Sequence, residues 1–211
     1  MEKNKLRNNA TKRERKCIIA FNAEGKNKTE SIYLDNYKSR NVILKNPSGN
    51  STDPRNMFLE LKKYCAEQDI RKEYGDRLYL FIDSDLNEDK MKVINTMKKD
   101  CDKFGVEIIL SVPIFEVWFL NHFRYSAKEF KSGEDVIKEL NKFIDGYKKG
   151  NNYYNILSNR TECAVERSIK LEKHHKDLDN DLLSNKCNPY TGMYKVISGI
   201  NDLKDKNERN K

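Results

Sequence analysis

Two aspartates one residue apart, Asp83 and Asp85, close an apolar run in the stretch YLFIDSDLNED from Tyr79 to Asp89. Side chains at i and i+2 of an extended segment point the same way, so these two like charges would crowd together. Such a pair is costly unless a cation bridges it or one member keeps its proton, and the chemistry most readily served is divalent metal binding through oxygen. The plainer alternative is local: Asp83 caps a turn and Asp85 caps the helix that follows, because Asp favours helix starts. A second acidic strand end shifts the balance. Glu24 follows the apolar stretch CIIAFN, Cys17 to Asn22, and holds the same kind of place as Asp83. Glu116 comes soon after a third apolar run, VEIILSV, and two readings stand for it. It could complete a metal position, or it could be a buried carboxylate paired with Arg or Lys at a strand-to-helix turn.

The elements that must position these groups alternate. Strands are expected at 17–22, 41–45, 79–82 and 106–112. A helix should run from Thr29 to about Arg40. Asp53 and Pro54 are a strong helix start, as N-cap and first-turn proline, for a helix running to about Tyr74. Glu88 to Phe104 repeats apolar residues at 91, 94, 97, 101 and 104, and Gly105 is placed to cap that helix. Strands separated by helices imply crossovers and a parallel sheet covered on both faces, with sites at the carboxyl ends of the strands. Glu24, Asp83, Asp85 and Glu116 all fall at that edge. The last third reads as wholly helical. Ser126 and Ser132 each open a capping-box pattern, the second starting a helix that carries apolar residues as far as Tyr147. A further helix spans 158–175, and Asn188-Pro189 starts the last one.

The chain has 211 residues and a net charge of +8, with 35% charged and 37% apolar residues. That is one domain with an appendage at most, long enough for a real core. Seven Lys or Arg against two Glu fall within residues 1–16, an arm that could contact phosphate or merely add solubility. No window approaches a membrane span and no apolar leader follows the basic N-terminus, so a cytoplasmic protein is expected. The five cysteines have no CxxC spacing and read as reduced core thiols. Three histidines are too few for a His-based metal site. His122 shares a helix with Phe115, Trp118 and Phe119 and reads as structural.

Four motifs recur in an order that resembles a known family. They are Glu24-Gly25 followed by Thr29-Glu30 and Tyr33; Asp83-Ser84-Asp85; the aromatic segment with Ser111, Pro113, Phe115-Glu116, Trp118, Leu120 and His122-Phe123; and Asn188-Pro189 followed by Thr191. The set resembles the Toprim domain of topoisomerases, primases and OLD-type nucleases. A closer match is the RloB family of bacterial defence proteins, which includes the AbiL abortive-infection component. Val112 departs from the family, which usually has Asn before the proline. The resemblance implies a Toprim-like, Rossmann-like fold of four mainly parallel strands flanked by helices. Residues 1–16 would be the basic arm, 17–124 the catalytic domain and 125–211 a helical extension packed on it.

By the same resemblance the activity is phosphodiester cleavage assisted by Mg2+ or Mn2+. Glu24 is then the general acid/base and also a metal ligand, Asp83 and Asp85 are catalytic residues that hold the metal, and Glu116 is a further candidate ligand. Lys26, Lys28 and Thr29 are candidates for substrate phosphate. The protein would be a metal-dependent endonuclease, on RNA (tRNA included) or DNA, serving as the toxic effector of an anti-phage system. A separately encoded ATPase of the AAA or ABC type would hold it silent, and a homodimer is left open. The alternative is a non-catalytic Toprim-fold adaptor that docks on the ATPase. A phosphatase of the haloacid dehalogenase type ranks lower, because its paired aspartates follow the first strand. The nuclease reading requires Glu24 to face Asp83 and Asp85 with no basic side chain filling the gap between them.

Overall fold

A computed structural model describes residues 16–25, 29–39 and 42–209, with side chains as far as 204. All of the basic arm except Lys16 lies outside the described residues, as do Lys26 and Lys28. Five strands form one sheet in the order β2-β1-β3-β4-β5. The first four, β1 (Cys17–Asn22), β2 (Val42–Lys45), β3 (Arg77–Asp83) and β4 (Val106–Val112), are parallel. The helices are α1 (Thr29–Asp35), α2 (Pro54–Glu67), α3 (Glu88–Phe104), α4 (Glu116–Phe123), α5 (Gly133–Leu140), α6 (Tyr154–Leu157), α7 (Thr161–Asp177) and α8 (Met193–Arg209).

The strands are apolar on both faces because both faces are covered, as parallel sheets require. Ile19, Phe21, Tyr79, Phe81 and Ile109 pack against Tyr33 of α1, Trp118 of α4 and Val196 of α8. Their alternates Ile18, Ala20, Leu78, Leu80, Ile82 and Leu110 pack against Met57 and Leu61 of α2 and Ile94 and Met97 of α3. The chain steps one way from β1 to β2 and the other way from β2 through β3 to β4. Right-handed crossovers then put α1 on one face and α2 and α3 on the other. That reversal makes the β1/β3 boundary the switch point of the sheet, and the carboxyl ends of those two strands border its crevice.

Several expectations need correction. The sheet has five strands, not four, and the last third is not wholly helical. After Asn188-Pro189 the chain forms β5 (Tyr190–Thr191), antiparallel to the end of β4, before α8 begins at Met193. The Thr191 hydroxyl lies 3.1 Å from that of Ser111 and accepts the Met193 amide, so it fastens the strand and starts the helix. Asn188 instead pairs both ways with the Phe130 backbone, and residues 126–130 form neither helix nor strand, so no helix starts at Ser126. Ser132 does cap α5, accepting the Asp135 amide. That helix ends at Leu140, where the Asn141 side chain takes the Tyr147 amide and turns the chain. Helix α2 stops at Glu67 because Asp76 draws the Arg71 amide into a separate turn, and α1 stops at Asp35. Cys163 is exposed, unlike the buried Cys65, Cys101 and Cys187, and all the described cysteines are free. No helix among the described residues is long and apolar enough to cross a membrane.

His122 is a core residue. Its Nδ1 lies 2.9 Å from the Trp118 carbonyl and its Nε2 3.4 Å from the Tyr33 hydroxyl. Burial holds its pKa down at about 4. An unfolded chain protonates this histidine below its ordinary value near 6.5, whereas the folded protein keeps it neutral down to about 4. The stability present above pH 6.5 therefore drains away as pH falls through that window, by about 3 kcal/mol from this group. Urea unfolding of wild type and His122→Gln from pH 7 to pH 4 should show the variant, whatever its loss at pH 7, with a shallower pH slope. Equal slopes would contradict the buried neutral imidazole.

Candidate functional site

The carboxylates of β1 and β3 meet at the switch point. Gly25, at φ +68, bends the chain sharply after Glu24, and its amide is held by the Ser51 carbonyl at 3.2 Å. Glu24 is thereby turned toward β3, where its Oε2 accepts the Asp83 amide at 3.3 Å from 59 positions away. The two aspartates themselves separate, contrary to the expectation that they point the same way. Strand β3 ends at Asp83, and Asp85 sits in a tight turn at φ +50 with its amide on the Pro113 carbonyl. Asp85 is an outer residue, its side chain 54% exposed. Asp83, in step with Tyr79 and Phe81, lies on the α1/α4 face of the sheet.

Lys90, from the first turn of α3, stands between Glu24 and Asp85. Its ammonium donates to Glu24 Oε1 at 2.6 Å and to Asp85 Oδ2 at 2.7 Å. The gap that the nuclease reading needs clear of basic side chains is, on this side, filled. Burial raises the Glu24 carboxyl above its ordinary range; Lys90 opposes this and Asp85 adds to it.

Deeper in, three carboxylates approach one another. Asp83 is joined by Glu30, in the first turn of α1, and Glu116, the first residue of α4, both buried. Glu116 accepts the Tyr147 hydroxyl at 2.7 Å, and its other oxygen lies 3.5 Å from the Lys149 ammonium. The local partnership therefore follows the second reading of Glu116, a buried carboxylate paired with a lysine at a strand-to-helix turn. Burial, then the charges of Glu116 and Glu24, raise Glu30 to about 7 against its own backbone hydrogen bond and Lys149. Asp83 is raised well above its usual range, by burial first and then by Glu30 and Glu116. Helix N-termini favour carboxylates at these two positions, but only partly offset desolvation.

Thr29, a candidate for substrate phosphate, is buried, and its hydroxyl accepts the Gly150 amide at 3.3 Å. It ties α1 to the loop that carries Lys149. A cleft of about 930 Å³ lies at the other end of the sheet, beside Arg77 and Val106, and contains none of these carboxylates.

Five carboxylates, Glu24, Glu30, Asp83, Asp85 and Glu116, thus share two described lysines. Their hard oxygens and surplus negative charge suit Mg2+ or Mn2+. Glu116 Oε2 is buried and orphaned of hydrogen bonds, and the cation it faces is the Lys149 ammonium at 3.5 Å. Among the described residues, however, no three His, Cys, Asp or Glu side chains are grouped closely enough to hold an ion as they stand. Donor type and charge fit such an ion; the spacing of the side chains as they stand does not.

A family model described as RloB-like protein matches residues 19–200, from β1 into α8. The chain belongs to the RloB-like family. Searches of curated proteins and of solved structures each gave no match. The RloB-like match spans all five carboxylates and both lysines. Glu30, Lys90, Lys149 and Tyr147 were not singled out from the sequence as site residues. Glu30 also stands in the first turn of α1, a place where a carboxylate is ordinary. Lys90 carried a usable signal, five residues beyond Asp85 in a helix already delimited. Lys149 lies in a Lys-Lys-Gly loop that reads as surface.

Glu30 gives the cluster a measurable signature. Its unfolded form ionises near its ordinary 4.5, whereas the folded protein keeps the proton to about 7. Its contribution to stability is complete below pH 4.5 and is lost as pH rises through 7, on the order of 3 kcal/mol. Glu30→Gln should therefore be more stable than wild type at pH 8, with the difference shrinking toward pH 5, by urea unfolding without divalent ions. A constant difference across that range would show that Glu30 is not held protonated.

Proposed function

We propose that this RloB-like protein is a divalent-metal-dependent endonuclease that hydrolyses phosphodiesters in RNA or DNA. The observation that carries the reading is the contact of Glu24 with Asp83 at the switch point of a parallel sheet, with three further carboxylates around it. Strand ends at such a crevice are where α/β sheets place their chemistry. The resemblance to Toprim proteins points the same way, and the four parallel strands of the five-stranded sheet are compatible with it.

In this reading Asp83, Asp85, Glu24 and Glu116, with Glu30 added to the set, would hold Mg2+ or Mn2+ once the Lys90 ammonium has left its place between Glu24 and Asp85. A bound ion would polarise a phosphoryl oxygen and stabilise the leaving oxygen. Glu24 moves a proton at the attacking or leaving oxygen, and burial raises its carboxyl pKa in the direction that task favours. Asp83 fixes Glu24 through its backbone amide, and Tyr147 fixes Glu116. The family resemblance further suggests a cytoplasmic toxic effector of an abortive-infection system, restrained by a separate ATPase.

One observation favours a second reading, a non-catalytic adaptor that docks on the ATPase. Lys90 neutralises Glu24 and Asp85 in the way a retired site would. The two part in a cleavage assay on labelled RNA and DNA with Mn2+ and the protein free of its partner ATPase. The nuclease should cut, lose cutting on chelation, and fall at least about 100-fold in Asp83→Asn and Glu24→Gln. Cleavage equal in wild type and both variants, or none in any although the protein binds the ATPase in a separate pull-down, would leave the adaptor.

A further inference from the structure

Lys90 is in an unusual place for a lysine. It lies in the first turn of α3, after the N-cap Asn87, at the end of a helix that disfavours cations. Its side chain is only 11% exposed, although lysines rarely leave water unless paired. Two carboxylates hold it there, Glu24 from the end of β1 and Asp85 from the turn after β3. These are two of the residues the proposed function gives to the metal. Asp85 remains 54% exposed, so the pair opens to solvent on one side, and the flexible four-carbon stem of a lysine can withdraw by rotation alone.

We propose that Lys90 is a built-in counter-ion that competes with a divalent cation for Glu24 and Asp85, so that ion binding requires its ammonium to leave. This rests on the metal reading of the site. It accounts for two facts together: the surplus of carboxylates and the lack of a ready ion-sized group among the described residues. Without Lys90, Glu24 and Asp85 would face each other with Asp83 behind them and no described cation between. With it, the protein is stable without an ion, at the cost of lower ion affinity. Lys92, two residues on, provides the contrast, since it pairs with Asp89 with both side chains largely exposed.

Two measurements test this on the full-length protein. In the first, wild type is treated with a limiting amine-acylating reagent, and lysine modification is read by peptide mass spectrometry with and without Mn2+. Lys90 should be protected without the ion and label at least fivefold faster with it, while Lys92 stays constant. In the second, Mn2+ affinity is measured by calorimetry. Lys90→Met should bind about tenfold more tightly than wild type, within the range of ordinary coupling between sites, and Lys92→Met within about twofold. Lys90→Gln serves as a second variant should the first not fold. Mn2+ binding with no change in Lys90 labelling, or with equal affinity in wild type and the Lys90 variants, overturns the inference and leaves the metal site standing. No Mn2+ binding to wild type or to either Lys90 variant overturns both.

Discussion

Between β1 and β3 the chain has no freedom to keep Glu24 and Asp83 apart. The strands are hydrogen-bonded neighbours, with Phe21 opposite Tyr79; β3 ends in Asp83, and Glu24 follows two residues after the last residue of β1, at the same edge of the sheet. The Glu24 carboxylate takes the Asp83 amide, so one negative group is fixed over the backbone of the next. Charges this close repel strongly wherever water is scarce. The surroundings of the site can be read as responses to that repulsion: carboxyls raised toward protonation, helix N-termini turned inward, and two lysines drawn in.

Asp83 joins two halves. Its backbone belongs to an outer group with Glu24, Asp85 and Lys90, while its side chain belongs to an inner group with Glu30, Glu116 and Lys149. The inner group is held by aromatic packing. Tyr33 lies edge-on to Trp118 and Phe119, and Phe119 lies edge-on to Tyr147, whose hydroxyl holds Glu116. Such ring pairs prefer edge-to-face geometry and fix orientation as well as burying area. The aromatic segment thus sets the angle of α4, and with it where Glu116 stands.

The sequence was most legible where one physical signal dominated. Helix α3 was readable to both ends, because its apolar spacing and Gly105 agree, and Asp53-Pro54 placed the start of α2. Strand β5 was hidden because two residues show no period, and its identity comes from pairing with Ser111 and Val112, 78 to 80 positions earlier. The end of α5 was hidden because the apolar spacing continues to Tyr147 although the chain has left the helix; Ile144 and Tyr147 are buried, but from a turn. In the site, strand-end acids were visible as types at places. The lysines were not, since a lysine becomes a site residue only through what faces it.

The two lysines neutralise in different ways. Lys90 comes from a regular helix and makes two short, direct contacts. Lys149 comes from a loop bounded by Gly146 and Gly150, both at positive φ, with its side chain 44% exposed and its ammonium 3.5 Å from Glu116. Attraction falls with distance and with access of water, so the inner carboxylates receive less from Lys149 than the outer pair receives from Lys90. That difference agrees with where the strain collects. Glu30 and Asp83 carry the larger upward shifts, and the orphaned oxygen is on Glu116. The unmet demand for positive charge therefore lies on the inner side, behind Asp83.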